Sequence, residues 1–366
     1  METINRKPTT KFLNTSKKMA RAEFKEYLKD EGEWFFNIVE KLSKNWGEGE
    51  IVSSGMLVRE NEQPVLLIGG ACIGCQDTTS EKISVGMQDL VFIVRLFSEI
   101  RESGGVGEVI TFTFYVEELG LFAGSYSVDT TSAAITIKFL SKGYPKLESI
   151  GYEDQYLDLV KNIIETRVYE TPFGKRAVEV VRRKGLVVHA GTPDGGESAA
   201  VAAEMNFLLE KANILMHAYE TQIEYRFHRP HMGVLRQYEI GTDISGDTMQ
   251  DIAIKIRRNI VENRAGVVVF GKIISPELIR EAVLAASGGR HVIVLLPETS
   301  MGAVLKKLSD ALVGQESLLA ETLRAVVIHS AGEDGKSKRQ DVLIIKEEEK
   351  EYIRKNKIDK LRNKSK

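Results

Sequence analysis

The apolar positions of this chain change rhythm partway along its length. In residues 21–45, RAEFKEYLKDEGEWFFNIVEKLSKN, they recur at helical spacing and predict an amphipathic helix. Two strand-like runs, Ile51–Val58 and Pro64–Gly70, flank RENEQ, a turn by composition. Residues 84–103, ISVGMQDLVFIVRLFSEIRE, return to helical spacing, and GGVGE ends that helix. EVITFTFYVEEL, FAGSYSVDT and SAAITIKFLS then predict an antiparallel meander. Residues 21–150 therefore read as an α+β domain behind a basic, polar arm over 1–20. KGYPKLESIG (Lys142–Gly151) reads as a connection, and helical spacing over Glu153–Thr166 predicts a helical linker across 151–180.

After the linker, short apolar runs alternate with helical segments. The runs are Leu186–Val188, Ile214–Met216, Val267–Phe270, Val292–Leu296 and Ala325–Ile328. Uninterrupted apolar strands separated by helices predict an α/β sheet with helices on both faces, over residues 181–345. The chain closes with a strand, a charged helix and a basic tail; residues 346–366 hold nine Lys/Arg against five Asp/Glu. The tail interleaves acids with bases and has no strong apolar face, which favours a solvated helix over a lipid anchor.

Charge and cysteine content narrow the function classes. Across 366 residues the formal net charge is -2, so no global field draws the protein to nucleic acid. The two cysteines are spaced Cys72-Ile-Gly-Cys75, which points to a reducing compartment. A zinc site needs four ligands and no second pair exists, so two ordinary thiols are expected, with a metal shared between subunits as the alternative. His228 and His231 are separated by Pro230, which breaks helical ligand spacing and favours a surface loop. The first thirty residues lack an apolar signal core, and no apolar run reaches the ~18 residues of a membrane span. A cytoplasmic location is expected, with no integral membrane segment.

The candidate chemistry lies in KGLVVHAGTPDGGESAAVAAEMNFLLEK, Lys184–Lys211. An apolar strand leads through a Gly-rich loop into a helix, the setting of the phosphate loop G-x-x-x-x-G-K-[ST]. Gly191, Gly196 and Ser198 fall in register, with Gly195 beside them, but Glu197 occupies the lysine position. Backbone N–H groups at such a helix start hold phosphate, and the lysine adds charge at its oxygens. A unit pair at about 4 Å is worth roughly 4 kcal/mol at an effective dielectric near 20, so reversing that charge shifts nucleotide affinity by decades.

Several segments resemble the type IV pilus retraction and type II secretion ATPases, the PilT-like family of twitching motility. GLVVHAGTPDGGESAAVAAEMN resembles their phosphate loop, and AYETQIEYRF (Ala218–Phe227) their Asp box. LRQYEIGTDISGDTMQDIAIKIRRN resembles the Q-x-E-V-G-x-D stretch. VVVFGKIISPELIREAVLAASGGRHVIVLLPETS resembles the Walker B and His boxes, ETLRAVVIHS the SLRAVV run, and YPKLESIG the segment before the linker. The resemblance implies a RecA-like P-loop NTPase domain behind a smaller PAS-like α+β domain. It also implies a ring, most often a hexamer, at the base of a pilus or secretion machine, peripheral to the inner membrane.

The departures fall where the family's chemistry sits. Glu197 replaces the Walker A lysine, and Gly271-Lys272 replaces the Gly-Glu that closes Walker B. The Asp box has Thr221-Gln222 for Asp-Pro, although Glu220 and Glu224 remain. The two His-box positions fall at Arg290 and Pro297, with His291 one place on. In the closing helix Tyr352, Ile353 and Arg354 match the second half of a family motif, but Glu348 and Glu349 replace its apolar start. The expectation is a degenerate ATPase that binds ATP and magnesium weakly or not at all, with Gly191, Gly195, Gly196, Glu197 and Ser198 as a vestigial nucleotide site. The reciprocal swap of Lys for Glu197 and Glu for Lys272 suggests that these two side chains pair in the phosphate space. Partners would be copies of itself in a homo- or hetero-oligomeric ring, pilus or secretion base proteins, or an active paralogue. The alternatives are a working motor using Ser198, Glu220, Lys272 and His291, and a scaffold unrelated to pili.

Overall fold

The computed structural model describes residues 19–29, 32–45, 55–59, 65–68, 71–74, 87–97, 109–128, 133–141, 144–181, 184–192, 195–221, 223–225, 227, 232–240, 248–273, 275–331, 338–357 and 360–361. The chain divides into two compact units, Met1–Gly143 and Tyr144–Lys366. Cys75, the basic arm before Met19, Arg226, the His228–His231 loop, Gly241, Asp243 and the tail after Leu361 lie outside the described residues.

In the first unit, helices α1 (Arg21–Tyr27) and α2 (Glu33–Asn45) precede strands β1 (Gly55–Arg59), β2 (Val65–Ile68) and β3 (Ala71–Gly74). Helix α3 (Met87–Phe97) follows, then the meander β4 (Val109–Val116), β5 (Gly120–Val128) and β6 (Ala133–Ser141). The six strands form one antiparallel sheet in the order β3-β2-β1-β6-β5-β4. Its core is aromatic: Phe24 and Phe35 from the helices meet Phe114 and Phe122 from the strands, with ring centroids 5.2–6.4 Å apart. The single helix expected over 21–45 is two helices, broken around Gly32, whose N–H caps α1 through the carbonyl of Leu28. Cys72 lies in β3 opposite Leu67.

The second unit begins earlier than residue 151, because Leu147 and Ile150 pack with its core. Its sheet is β11-β10-β12-β13-β9-β14-β15, formed by β9 (Gly185–Gly191), β10 (Leu215–Glu220), β11 (Val234–Glu239), β12 (Val267–Gly271), β13 (His291–Leu296), β14 (Leu323–Ala331) and β15 (Lys338–Ile344). Every pairing is parallel except β14 with the edge strand β15. Strands β9, β12 and β13 are buried along their whole length, as uninterrupted apolar runs require when both faces are covered.

One face carries α6 (Met249–Glu262), α7 (Pro276–Ser287), α8 (Met301–Ala311) and α9 (Glu316–Thr322), with α10 (Glu347–Arg354) packed outside. The other carries α5 (Glu197–Lys211), and α4 (Asp154–Lys161) lies over it. Helix α5 is therefore sandwiched, and its middle, Ala200–Asn206, is buried all round.

The stretch expected as a helical linker over 151–180 is corrected. Its helix stops at Lys161, and β7 (Ile164–Thr171) and β8 (Gly174–Val181) follow as a hairpin. The alternation of IETRVYET and GKRAVEVV favours strands, and Gly174 at φ +101° supplies the turn between them.

Candidate nucleotide site and the polar network beneath it

The phosphate loop leaves β9 at Gly191 and enters α5 at Glu197, as its sequence predicts. Its shape is set by β14. Thr192 N–H donates to the carbonyl of His329 at 3.0 Å, and Gly195 N–H turns back to Thr192 at 2.9 Å. A Cβ on Gly191 or Gly195 would lie 2.4 or 2.7 Å from that same His329 carbonyl oxygen. Gly196, at φ +90°, caps the helix. These glycines thus have packing reasons that do not involve a phosphate.

Glu197 opens α5, where a negative side chain complements the helix dipole, worth about 0.3–1 kcal/mol. The same charge opposes any phosphate brought to that terminus. Glu197 also acts on the half-buried Tyr225, whose hydroxyl pKa is raised by burial first and then by Glu224 and Glu197.

Beside Ser198 a narrow cleft is lined by Glu220, Glu224, Tyr225 and Lys272 over apolar walls that include Met205 and Leu295. Parallel register brings Glu220, Glu239 and Gly271 to the same level at the carboxyl ends of β10, β11 and β12. Lys272 follows with φ +51°, a left-handed conformation that costs a non-glycine residue about 1–2 kcal/mol. Its ammonium pairs with Glu224. The charge swap suggested a pairing with Glu197; Lys272 is found with Glu224, and Glu197 contributes to the raised pKa of Tyr225. About 30 Å³ remains in the cleft for water-sized occupants, room for one or two waters and far below a nucleotide.

Glu220 is a strongly perturbed carboxyl of the cleft. Burial pushes it up to about 7; Glu224 and Glu239 add to the rise, while Gln237 and Lys272 oppose it. Gln237 Nε2 donates to Glu220 Oε1 at 3.1 Å and to the carbonyl of Tyr225 at 2.8 Å. Ser198, Glu220 and Lys272 are therefore brought together.

His291 is not, which corrects its expected place among the catalytic candidates. It opens β13 opposite Gly185, at the amino ends of the strands, whereas the cleft lies at the carboxyl ends. It is fully enclosed, and burial first, then His189, lowers its pKa to about 4 against the attraction of Glu204. Among the described residues no group of three or more His, Cys, Asp or Glu side chains is placed to hold a metal.

A second polar group lies beneath the loop and escaped the sequence reading. Glu204 of α5 accepts hydrogen bonds from Tyr156 at 2.6 Å and Tyr152 at 3.0 Å, and sits 3.1 Å from His189 Nε2. His189 Nδ1 meets His329 Nε2 at 3.0 Å with the rings stacked. All five residues are buried. The signal available in sequence was a histidine in each of two apolar strands and a lone glutamate inside AAVAAEMN.

No protein-family profile matches the chain. The Escherichia coli protein YggR, itself uncharacterized, is 23% identical over 209 residues, covering 56% of each chain; the match thus spans little more than half of that relative. The pilus retraction motor PilT with bound ADP superimposes with a TM-score of 0.66 at 19% identity, over 88% of both chains. The Legionella pneumophila ATPase DotB gives 0.64 at 16% identity, over 90% of this chain and 86% of that one. The Yersinia pseudotuberculosis DotB gives 0.64 at 15%, over 91% and 84%. The likeness is one of fold: the protein has the RecA-like architecture of these ATPases. Among the described residues no helix is long and apolar enough to cross a membrane.

Proposed function

We propose that the protein is a non-hydrolysing relative of pilus retraction and secretion ATPases, acting as a structural or regulatory subunit of such a machine. One observation carries the reading: the ammonium of Lys272, paired with Glu224, lines the cleft beside Ser198 and Glu220. Phosphoryl transfer needs positioned cations at the γ-phosphate. In this chain a carboxylate, Glu197, opens the helix and a lysine, Lys272, follows β12, paired to Glu224. The residues present do not fit a magnesium nucleotide. On this reading the chain works through binding, in a ring with its own copies or with an active paralogue, docked peripherally on a pilus or secretion base.

The near-neutral carboxyl of Glu220 supports one rival, a working ATP-hydrolysing motor with Glu220 as general base. Calorimetric titration with magnesium ATP and steady-state hydrolysis, on the unmodified chain and on Glu197→Lys/Lys272→Glu, separate the two. The non-hydrolysing reading expects no saturable binding below millimolar nucleotide and no turnover in the unmodified chain, with binding gained by the double variant. Micromolar binding with turnover by the unmodified chain would reverse it.

A further inference from the structure

We propose that the end of the sheet opposite the cleft carries an anion site, formed by Lys184, Arg290 and Arg324 and suited to a phosphate-class oxyanion. Lys184 and Arg290 directly precede β9 and β13, and Arg324 is the second residue of β14. These three strands are adjacent and parallel, so their amino ends share one edge of the sheet. The main chain ties them together: Gly185 N–H donates to the carbonyl of Arg290 at 3.0 Å, and Arg324 Nε donates to that of Lys184 at 3.2 Å.

Glycines form the floor. A Cβ on Gly185 would lie 2.9 Å from Arg324 Nε, on Gly288 2.7 Å from an Arg290 terminal nitrogen, and on Gly289 3.5 Å from Lys184 Nζ. Three cationic side chains therefore crowd one small patch. Among the described residues none of the three has a carboxylate within ion-pair distance. The hydrogen bonds of the two arginines go to the main-chain carbonyls of Gly288, Lys184 and Glu321. One acid, Glu321, also feels Arg324 and Lys350, but its ion pair is with Arg354.

The C-terminus of α7 ends beside Gly288 and accounts for part of the attraction. A helix end supplies about half a negative charge, which leaves most of three positive charges unbalanced. Two guanidinium groups with an ammonium match the oxygens of a phosphate. The patch is separate from the phosphate loop. The seven residues of β9 span about 20 Å between Gly185 and Gly191.

A soluble phosphate and the headgroup of an anionic phospholipid present the same chemistry. The test uses the full chain and two probes: inorganic pyrophosphate by calorimetry, and co-sedimentation with phosphatidylcholine vesicles with or without phosphatidylglycerol. The variants are Lys184→Gln, whose side chain holds no hydrogen bond among the described residues, and Arg290→Gln/Arg324→Gln. Saturable pyrophosphate binding, weakened roughly tenfold by Lys184→Gln and lost in the double variant, supports the site with a soluble ligand. Binding only to phosphatidylglycerol vesicles, with the same losses, supports it with a headgroup. Binding of neither probe, or binding that Lys184→Gln leaves unchanged, overturns the proposal.

Discussion

Replacing Glu204 tests whether the buried network holds the phosphate loop in place. Burial alone would push this carboxyl up, but the charge of His189 and hydrogen bonds from His189 and Tyr156 outweigh it, so Glu204 titrates below its usual 4.5. In Glu204→Leu the shape is roughly kept and the acceptor is lost. Tyr152, Tyr156 and His189 then each lose their carboxylate partner, while Tyr156 and His189 keep their 3.0 Å contact with each other. Each buried orphan costs about 1–3 kcal/mol, and breaking one side of a buried pair about 3–5 kcal/mol in all. Against a total stability of about 5–15 kcal/mol this is a large fraction. For the unit Tyr144–Lys366, about 2–4 °C per kcal/mol implies a fall in Tm of roughly 6–20 °C.

Glu204→Gln supplies the pH arm. A carboxyl depressed in the folded state stabilises above its unfolded pKa, and that contribution is lost as pH falls through the folded value. The gap between wild type and Glu204→Gln should be widest near neutral pH and close as pH drops below 4.5. Scanning calorimetry measures both. Hydrogen exchange over residues 185–200 adds the functional link, because the carbonyl of His329 anchors Thr192. A Glu204→Leu shift under about 3 °C, with loop exchange unchanged, refutes the reasoning.

Three further outcomes are expected. Glu220 titrates near 7, above its usual 4.5, so its contribution is fully present below 4.5 and lost as pH rises through about 7. Glu220→Gln should therefore gain on wild type with rising pH, by about 3 kcal/mol at pH 8, and a gap that is flat from pH 5 to 8 contradicts the assignment. His291 is depressed from 6.5 to about 4, so its stabilisation is present above 6.5 and lost as pH falls. His291→Phe should be spared about 2 kcal/mol of the wild-type loss at pH 5, read by denaturant unfolding at pH 7 and pH 5. Gly191→Ala pushes a methyl to 2.4 Å from a main-chain oxygen and should lower stability by about 1–3 kcal/mol even without nucleotide; an unchanged Tm would show that β14 yields.

The parallel sheet was legible because its strands are short, continuously apolar runs, and burial on both faces permits little else. VVVFG and HVIVLL are buried at every position. The linker was misread because 153–166 has helical spacing through α4, and the strand character of β7 shows only once Gly174 is seen to turn the chain. Glu220 and Lys272 could be paired in one site from motif positions alone. Which acid Lys272 meets could not, since that depends on the path of the chain after β10, which returns Glu224 to the end of β12. His291 was misplaced for a register reason: its motif position suggested the cleft, and strand pairing sets it beside Gly185. The Glu204 network was invisible because its five members span residues 152 to 329 and meet only through packing of α4, α5, β9 and β14.

The glycines of the loop and the charges of Glu197 and Lys272 have independent causes. Gly191 and Gly195 are required by the close approach of His329, so a chain keeping this fold keeps them whether or not phosphate is ever bound. Glu197 is compatible with the start of α5 because helix N-termini favour acids. Lys272 is compatible with the end of β12 because Glu224 lies within reach. Each replacement is thus stable where it stands without a ligand. Nucleotide would have to displace an ion pair, meet a like charge at the helix start and widen a cleft with room for one or two waters. On the proposed reading such a site is organised as packing rather than as a receptor, and Lys272, held in a left-handed conformation beside the cleft, is the residue whose release would widen it.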